Sequence, residues 1–339
     1  MTAIDAMTPS DSQPATDRCQ VSIIVVSYNT REMTLDCLRS VYAETKSTDF
    51  ELIVVDNQSS DGSADAIASE FPEARLIRSE DNLGFAMANN VAAREAKGHY
   101  LLLLNPDTVI LNQAIEKLMD FAGENPAAKI WGGRTVFADG SLNPASCWGK
   151  MTPWNLFCNA IGLSKLFPNS EHFNAEAYGN WQRDQVRQVD IVTGCFFLIE
   201  RELWEQLEGF NPLFFMYGEE ADLCLRAREL GARPMITPEA TLIHFGGASE
   251  TVEVDRVVKI WKGKVTLIRQ HWPTWLAWFG VGCQLLNPLS RSVVLWVVGK
   301  VLGRPLLVEK ARTWFGVWRR RRDWVGGYQP ARVSASAEV

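Results

Sequence analysis

The chain has 339 residues, 47% of them hydrophobic and 22% charged, enough for one large globular domain with an appendage and too apolar for bulk disorder. Its seven cysteines are scattered, odd in number and without a C-x-x-C pair, which excludes a zinc ribbon or disulfide framework and suits a reducing, cytoplasmic setting. The net charge of −6 divides into −13 for residues 1–270 and +7 from His271 onward, so the main domain lacks the cationic face that nucleic-acid binding requires.

Residues 1–20 are polar, rich in Ser, Thr, Asp and Pro, and lack the apolar run of an export signal; they read as a disordered lead-in. Residues 21–26, VSIIVV, have the β-branched, continuous apolar character of a strand buried on both faces. In TREMTLDCLRSVYAET the apolar residues recur at helical spacing, with Asn29 or Thr30 as N-cap. ELIVVD repeats the strand pattern, SSDGSADAIASEF predicts a second helix, ARLIRS a third strand, GFAMANNVAAREAKG a third helix and HYLLLLN a fourth strand. Strands alternating with helices over the first 110 residues specify an α/β architecture, a Rossmann-like half with a parallel sheet covered on both faces.

Ligands of such sheets bind beyond the carboxyl ends of the strands. The polar segments expected to converge there are SYN (27–29), DNQSSDGS (56–63), SEDNLGF (79–85) and NPDT (105–108). No G-x-G-x-x-G, Walker or G-x-S-x-G motif occurs, so redox dinucleotide enzymes, P-loop kinases and α/β-hydrolases lose their usual support. Carboxylates and amides stand at the strand ends instead, a set suited to a base, a ribose and a hard divalent cation on a diphosphate.

Loops from 131 to 188 resist assignment. DIVTGCFFLIERELWEQL then predicts a buried strand leading into a helix, and LEGFNPLFFMYGEEADLCLRARELG a helix from about Gly218 to Leu230, acidic at its start and closed by Gly231. ARPMITPEATLIHFGG predicts two short strands.

In order and spacing, VSIIVVSYN, LIVVDNQSSDGS, NLGFAMANN, LLLLNPDT, GFNPLFFMYGEEADLCLRARELG and IHFGGAS resemble the bacterial rhamnosyltransferase-like branch of family-two glycosyltransferases, over residues 20–250. The resemblance implies a GT-A fold with a mixed central sheet, an inverting transfer and a Mg²⁺ or Mn²⁺ cofactor. It also implies a nucleotide-sugar donor, dTDP-L-rhamnose leading over UDP- or dTDP-linked galactose or galactofuranose, and a lipid-linked or polysaccharide acceptor.

Carried over position by position, it sets Asp56 against the pyrimidine, with Ser27, Tyr28, Asn29, Asn57, Asp61, Gly84, Phe85, Asn89 and Asn105 around the nucleotide sugar. Asp61 reads equally well as a helix cap. Asn105-Pro106-Asp107 occupies the place of the D-x-D metal motif, leaving Asp107 as its carboxylate, and His244 is a further metal ligand. The general base falls on Glu220, which replaces the family's Asp, with Glu219 and Asp222 as the other acids of the cluster. By helical geometry 219 and 222 share a face that 220 does not, and Asp222 stands four residues before Arg226, the spacing of an ordinary ion pair.

These assignments divide the chain into residues 1–20, a catalytic domain over 21–265, a Trp- and Arg-rich helical extension over 266–328 and a disordered tail over 329–339. The extension carries seven of the thirteen tryptophans and two apolar stretches split by Pro288 and Arg291, each too short to span a bilayer. Trp together with Arg319–Arg322 fits a segment lying peripherally on an anionic membrane surface, on the cytoplasmic face. A helical subdomain packed on the catalytic core and a homo-oligomer contact are the alternatives that these residues leave open. A nucleotidyltransferase would need a Gly- and Lys/Arg-rich loop that SIIVVSYNT lacks, and a non-catalytic scaffold would need a broken site.

Overall fold

The computed structural model describes residues 19–246 and 253–330; all but the last two residues of the expected lead-in, most of the expected tail and the Gly247–Ser249 end of the IHFGGAS segment lie outside them. The first half forms β1 (Val21–Ser27), α1 (Arg31–Glu44), β2 (Phe50–Asp56), α2 (Ser63–Glu70), β3 (Arg75–Arg78), α3 (Gly84–Glu95), β4 (Tyr100–Leu104) and β5 (Thr108–Ile110). Then come α4 (Ala114–Glu124), β6 (Ile130–Val136), β7 (Cys147–Trp148), α5 (Pro153–Ile161), α6 (Leu163–Leu166), β8 (Arg187–Gln188), β9 (Ile191–Val192) and β10 (Phe196–Glu200). The chain continues through α7 (Arg201–Gln206), α8 (Glu219–Glu229), β11 (Met235–His244), α9 (Glu253–His271), α10 (Thr274–Val301), α11 (Pro305–Arg319) and α12 (Arg321–Trp324).

The main sheet runs β3-β2-β1-β4-β10-β6-β11-β5, with β8 beside β11. The first four strands of that order are mutually parallel. β10 then enters antiparallel to both β4 and β6, which makes the sheet mixed. Alternate residues of β1 feed opposite layers: Ile24 and Val26 pack toward α3 and α8, Val21, Ile23 and Val25 toward α1 and α4. Burial on both faces is the physical reason for the unbroken apolar run.

Three expectations change. The segment 233–244 is one strand rather than two, because the register slip between Thr237 and Thr241, around Pro238, bends β11 without ending it. The 190–206 segment splits into β9, a turn, β10 and α7. The two apolar stretches of the extension are one 28-residue helix, α10, with Pro288 inside it. Proline removes a backbone donor, and here the Gln284 carbonyl one turn back accepts from the Trp261 indole at 3.3 Å instead, so the helix continues. α9 also passes without a break through position 265, so the catalytic core and the extension share a helix.

That extension packs as a helical layer against α5: Leu156 and Ala160 join Val258, Trp261, Val265, Ile268, Val281 and Trp324 in one buried cluster. α10 keeps an apolar outer face, with Trp275 and Val301 about three-quarters exposed. By length and composition α10 could cross a membrane, and one third of its most apolar 18-residue window is buried inside the protein.

Candidate active site

One cavity of about 680 Å³ opens where the carboxyl ends of β1 and β4 meet the start of α8 and the helices of the extension. Of the residues singled out in the sequence, Tyr28, Asn57, Phe85, Asn105, Asp107, Glu219, Glu220 and His244 line it. Ser27, Asn29, Asp56, Asp61, Gly84, Asn89 and Asp222 do not.

Most of that second group holds the walls. The Ser27 hydroxyl is buried against Thr34 at 2.9 Å. Asn29 has a left-handed backbone and accepts from Ser60 N–H at 2.8 Å, tying the first loop to the second. Asp61 accepts from the N–H groups of Arg31 at 2.9 Å and Ser63 at 3.0 Å, the first residues of α1 and α2, and so ties the two helix starts together. The Asn89 amide donates to its own helix at Phe85 O. Gly84 has φ +72°, and a Cβ there would lie 2.3 Å from Phe215 O; only glycine lets α3 approach the loop before α8 so closely. Asp56 is buried at the end of β2, with one carboxylate oxygen accepting from Ser59 N–H and the other unpartnered.

Asp107 and His244 meet because β5 pairs antiparallel with the end of β11, setting His244 opposite Thr108. The His244 Nε2 lies 3.4 Å from Asp107 Oδ1 and 3.4 Å from the Asn105 amide nitrogen. Gly246 N–H donates to Asp107 Oδ2 at 3.0 Å. Burial opposes the Asp107 charge, but the His244 contact and this N–H hold its pKa below the usual carboxylate range. Burial likewise opposes the imidazolium, yet the neighbouring Cys195 sulfur and Asp107 push the His244 pKa up to about 10.

The chemistry of this pair fits a divalent cation. His244 Nδ1 has no partner; among the described residues no group of three or more His, Cys, Asp or Glu could hold a metal ion, so this pair supplies only two such ligands. One carboxylate and one imidazole leave most coordination positions for diphosphate oxygens and water, the arrangement hard cations accept.

The acidic end belongs to α8. Glu219 is buried, with Oε2 unpartnered; burial and the neighbouring Glu220 charge push its pKa well up. Glu220 is less buried, accepts from Gly218 N–H at 3.2 Å and is raised by burial. Burial and the neighbouring negative charge both disfavour ionisation here, and they act more strongly on Glu219 than on Glu220. Asp222, on the inward face, is committed elsewhere: Oδ2 accepts from Arg226 Nε at 2.8 Å and Oδ1 lies 2.9 Å from His271 Nε2. It fastens α8 to α9, which removes it from the set of candidate bases.

The loop before α8 is clamped from three sides. Phe215 O accepts from Phe85 N–H at 2.8 Å, Met216 O accepts from the Tyr328 hydroxyl at 2.6 Å, and the α9 backbone at Gly263 abuts Tyr217 O. The extension is thus part of the site's frame. Asn82, among the strand-end amides read from the sequence, also lines the cavity, whereas Thr193, Lys165, Glu176, Lys264, His271 and Arg291 were not singled out for it; Lys165 and Glu176 come from the unassigned loops, Lys264, His271 and Arg291 from α9 and α10, and Thr193 from the turn before β10.

This mixed sheet, with a carboxylate turn after β4 facing the same cavity as an acidic helix start, defines the GT-A class of nucleotide-sugar transferase folds. The family model described as glycosyl transferase family 2 matches residues 22–207, and the chain belongs to that family. It is 26% identical over 251 residues to the O-antigen biosynthesis protein RfbC of Myxococcus xanthus, covering 71% of this chain and 18% of that protein. It is also 26% identical over 217 residues to the N-acetylglucosaminyl-diphospho-decaprenol L-rhamnosyltransferase of Mycobacterium tuberculosis, covering 57% of this chain and 66% of that one. The mannosyltransferase PcManGT from Pyrobaculum calidifontis, solved with GDP-Man and Mn²⁺, superimposes with a TM-score of 0.58 at 16% identity, over 94% of this chain and 91% of that one.

Proposed function

We propose that the protein is an inverting glycosyltransferase that moves a sugar from a nucleotide donor to an acceptor hydroxyl, with Glu220 as general base and Asp107 and His244 as the cation ligands. The observation that carries this reading is the shared cavity: a cation-compatible pair, Asp107 and His244, at one wall and two carboxylates, Glu219 and Glu220, at another.

Tyr28, Asn57, Phe85 and Asn105 line the donor side. Asp56 lies behind the cavity lining, next to Asn57 at the end of β2, and its free buried oxygen accepts the imide N–H of a pyrimidine once the 57–60 loop shifts to uncover it. When bound, a Mg²⁺ or Mn²⁺ ion offsets the charge that builds on the departing diphosphate. Glu220 takes the proton of the acceptor hydroxyl as its oxygen forms the bond to the anomeric carbon, on the side opposite the bond that breaks. Beside it, burial and the Glu220 charge raise the pKa of Glu219, which disfavours a second negative charge in the site.

The name of the mycobacterial relative supports L-rhamnose as the transferred sugar and a lipid-linked saccharide as the acceptor; dTDP as its carrier is what the family resemblance implies. The exposed apolar face of α10, with Trp275 and Trp278 and the Arg319–Arg322 cluster, supports peripheral docking on an anionic membrane at the cytoplasmic face. Incubating the protein with a panel of UDP-, dTDP- and GDP-sugars, Mn²⁺ and a bacterial lipid extract should give nucleoside diphosphate release from one sugar, with inversion at the transferred carbon. Retention of configuration would contradict the proposal, as would the absence of both donor binding and turnover across the panel.

A further inference from the structure

The cavity is bipolar. Away from Asp107 and the two glutamates, its far wall is built by α6, α9 and α10 and carries three cations, Lys165, Lys264 and Arg291. A single carboxylate, Glu176, faces them: it is ion-paired with Lys264 and also accepts from the Asn159 amide at 3.2 Å. Lys165 and Arg291 have no ion-pair partner among the described residues, and burial holds both below their ordinary pKa ranges. The Arg291 guanidinium lies 4.6 Å from the ring centre of Trp314, which holds it flat against the wall.

Two unpartnered groups at this wall strengthen the pattern. Ser164 Oγ and Arg291 Nε are buried hydrogen-bonding atoms without a partner, and Ser164 is only 3% exposed. Buried polar groups are ordinarily satisfied, so the Ser164 hydroxyl and the Arg291 Nε–H are costly to leave without an acceptor, beside a half-buried guanidinium and an exposed ammonium of like charge. A hydroxyl and a guanidinium N–H without an acceptor, in the same cavity lining as the Lys165 ammonium, are donors that a phosphate oxygen would satisfy.

The wall continues into apolar surface. Ser290 Oγ donates to Ala160 O at 2.6 Å, which brings the end of α5 beside Arg291. Around that junction Ile161, Leu166, Phe167, Val293 and Val294 are exposed. A ligand with an anionic head in the cavity and a hydrocarbon chain leaving it would find apolar surface along this route.

We propose that Ser164, Lys165 and Arg291, with Lys264 behind them, form the subsite for the phosphoryl group of an isoprenoid-diphosphate-linked acceptor. Its chain then runs out over the α5–α6–α10 surface. The inference rests on the glycosyltransferase reading, because it supplies the acceptor side of the same cavity.

The test uses the full-length protein and farnesyl diphosphate as probe, titrated calorimetrically in EDTA so that no cation can bring the probe to Asp107. Inorganic pyrophosphate, farnesol and phosphatidylglycerol vesicles form the other arms. The wild type should bind farnesyl diphosphate more tightly than pyrophosphate and should not bind farnesol, and Lys165→Gln and Arg291→Gln should each weaken binding by about tenfold or more. Arg291→Lys, which keeps the charge, should lose less than Arg291→Gln, and all three variants should still bind nucleoside diphosphate with Mn²⁺. Unchanged farnesyl diphosphate binding in both Gln variants overturns the subsite. Pyrophosphate binding as tightly as farnesyl diphosphate, or vesicles alone showing the same variant losses, overturns the isoprenoid assignment in favour of a soluble phosphate or a headgroup. Loss of nucleoside diphosphate binding in the wild type would sink the glycosyltransferase reading instead, and the EDTA titration is read independently of it.

Discussion

Replacing Gly263 by Ala probes the coupling between the extension and the catalytic loop. A Cβ at Gly263 would stand 2.0 Å from Tyr217 O, where a carbon–oxygen contact needs at least about 3 Å. Either α9 or the loop carrying Tyr217 and Gly218 must therefore retreat by about 1 Å. Overpacking of this kind costs about 1–3 kcal/mol, and alanine returns about 1 kcal/mol over glycine within a helix, so the net loss of stability is small. The effect on chemistry is larger, because Gly218 leads directly into Glu219 and Glu220, and a 1 Å misplacement of a reacting group costs about 100-fold in rate. Turnover measured as nucleoside diphosphate release should fall by about that factor, while the melting temperature shifts by a few degrees and donor affinity stays within about threefold. Turnover within twofold of wild type would refute the claim that α9 positions the base.

Asp222→Ala leaves Arg226 and His271 without their shared buried carboxylate and should destabilise the fold by about 3 kcal/mol in urea unfolding. Glu219→Gln should do the opposite near neutral pH. The folded-state pKa of Glu219 is raised, so the acid loses stability as pH climbs above the unfolded value, and the variant's advantage in thermal unfolding should vanish near pH 4. Cation affinity at Asp107 and His244 should climb as pH rises toward about 10, because the metal must displace the imidazole proton; Mn²⁺ titration at several pH values follows this, and His244→Ala should flatten the profile. Trp275→Glu with Trp278→Glu should reduce co-sedimentation with anionic vesicles while leaving melting unchanged, since both rings are mostly exposed.

The alternating half of the molecule was legible in the sequence because two-sided burial writes itself as β-branched runs, and the motif residues at 105–107, 219–220 and 244 do meet in one cavity. Contacts at the strand ends were harder to read. A polar residue near a strand end serves the fold as readily as a ligand: Asn29, Asp61 and Asn89 bond backbone groups, and Ser27 bonds the Thr34 hydroxyl. Pro288 looked like a break because the compensating Trp261 indole lies 27 positions away. The cationic wall was invisible for the same reason: Lys165, Lys264 and Arg291 stand at no motif spacing and meet only once α6, α9 and α10 have packed.

The central claim is that Glu220 performs the proton transfer in a site that binds the donor without it. The direct measurement compares wild type and Glu220→Gln for donor binding with Mn²⁺ and for sugar transfer to a lipid-extract acceptor. The account predicts unchanged donor affinity and at least a hundredfold loss of transfer in the variant. Near-full transfer by Glu220→Gln would contradict it.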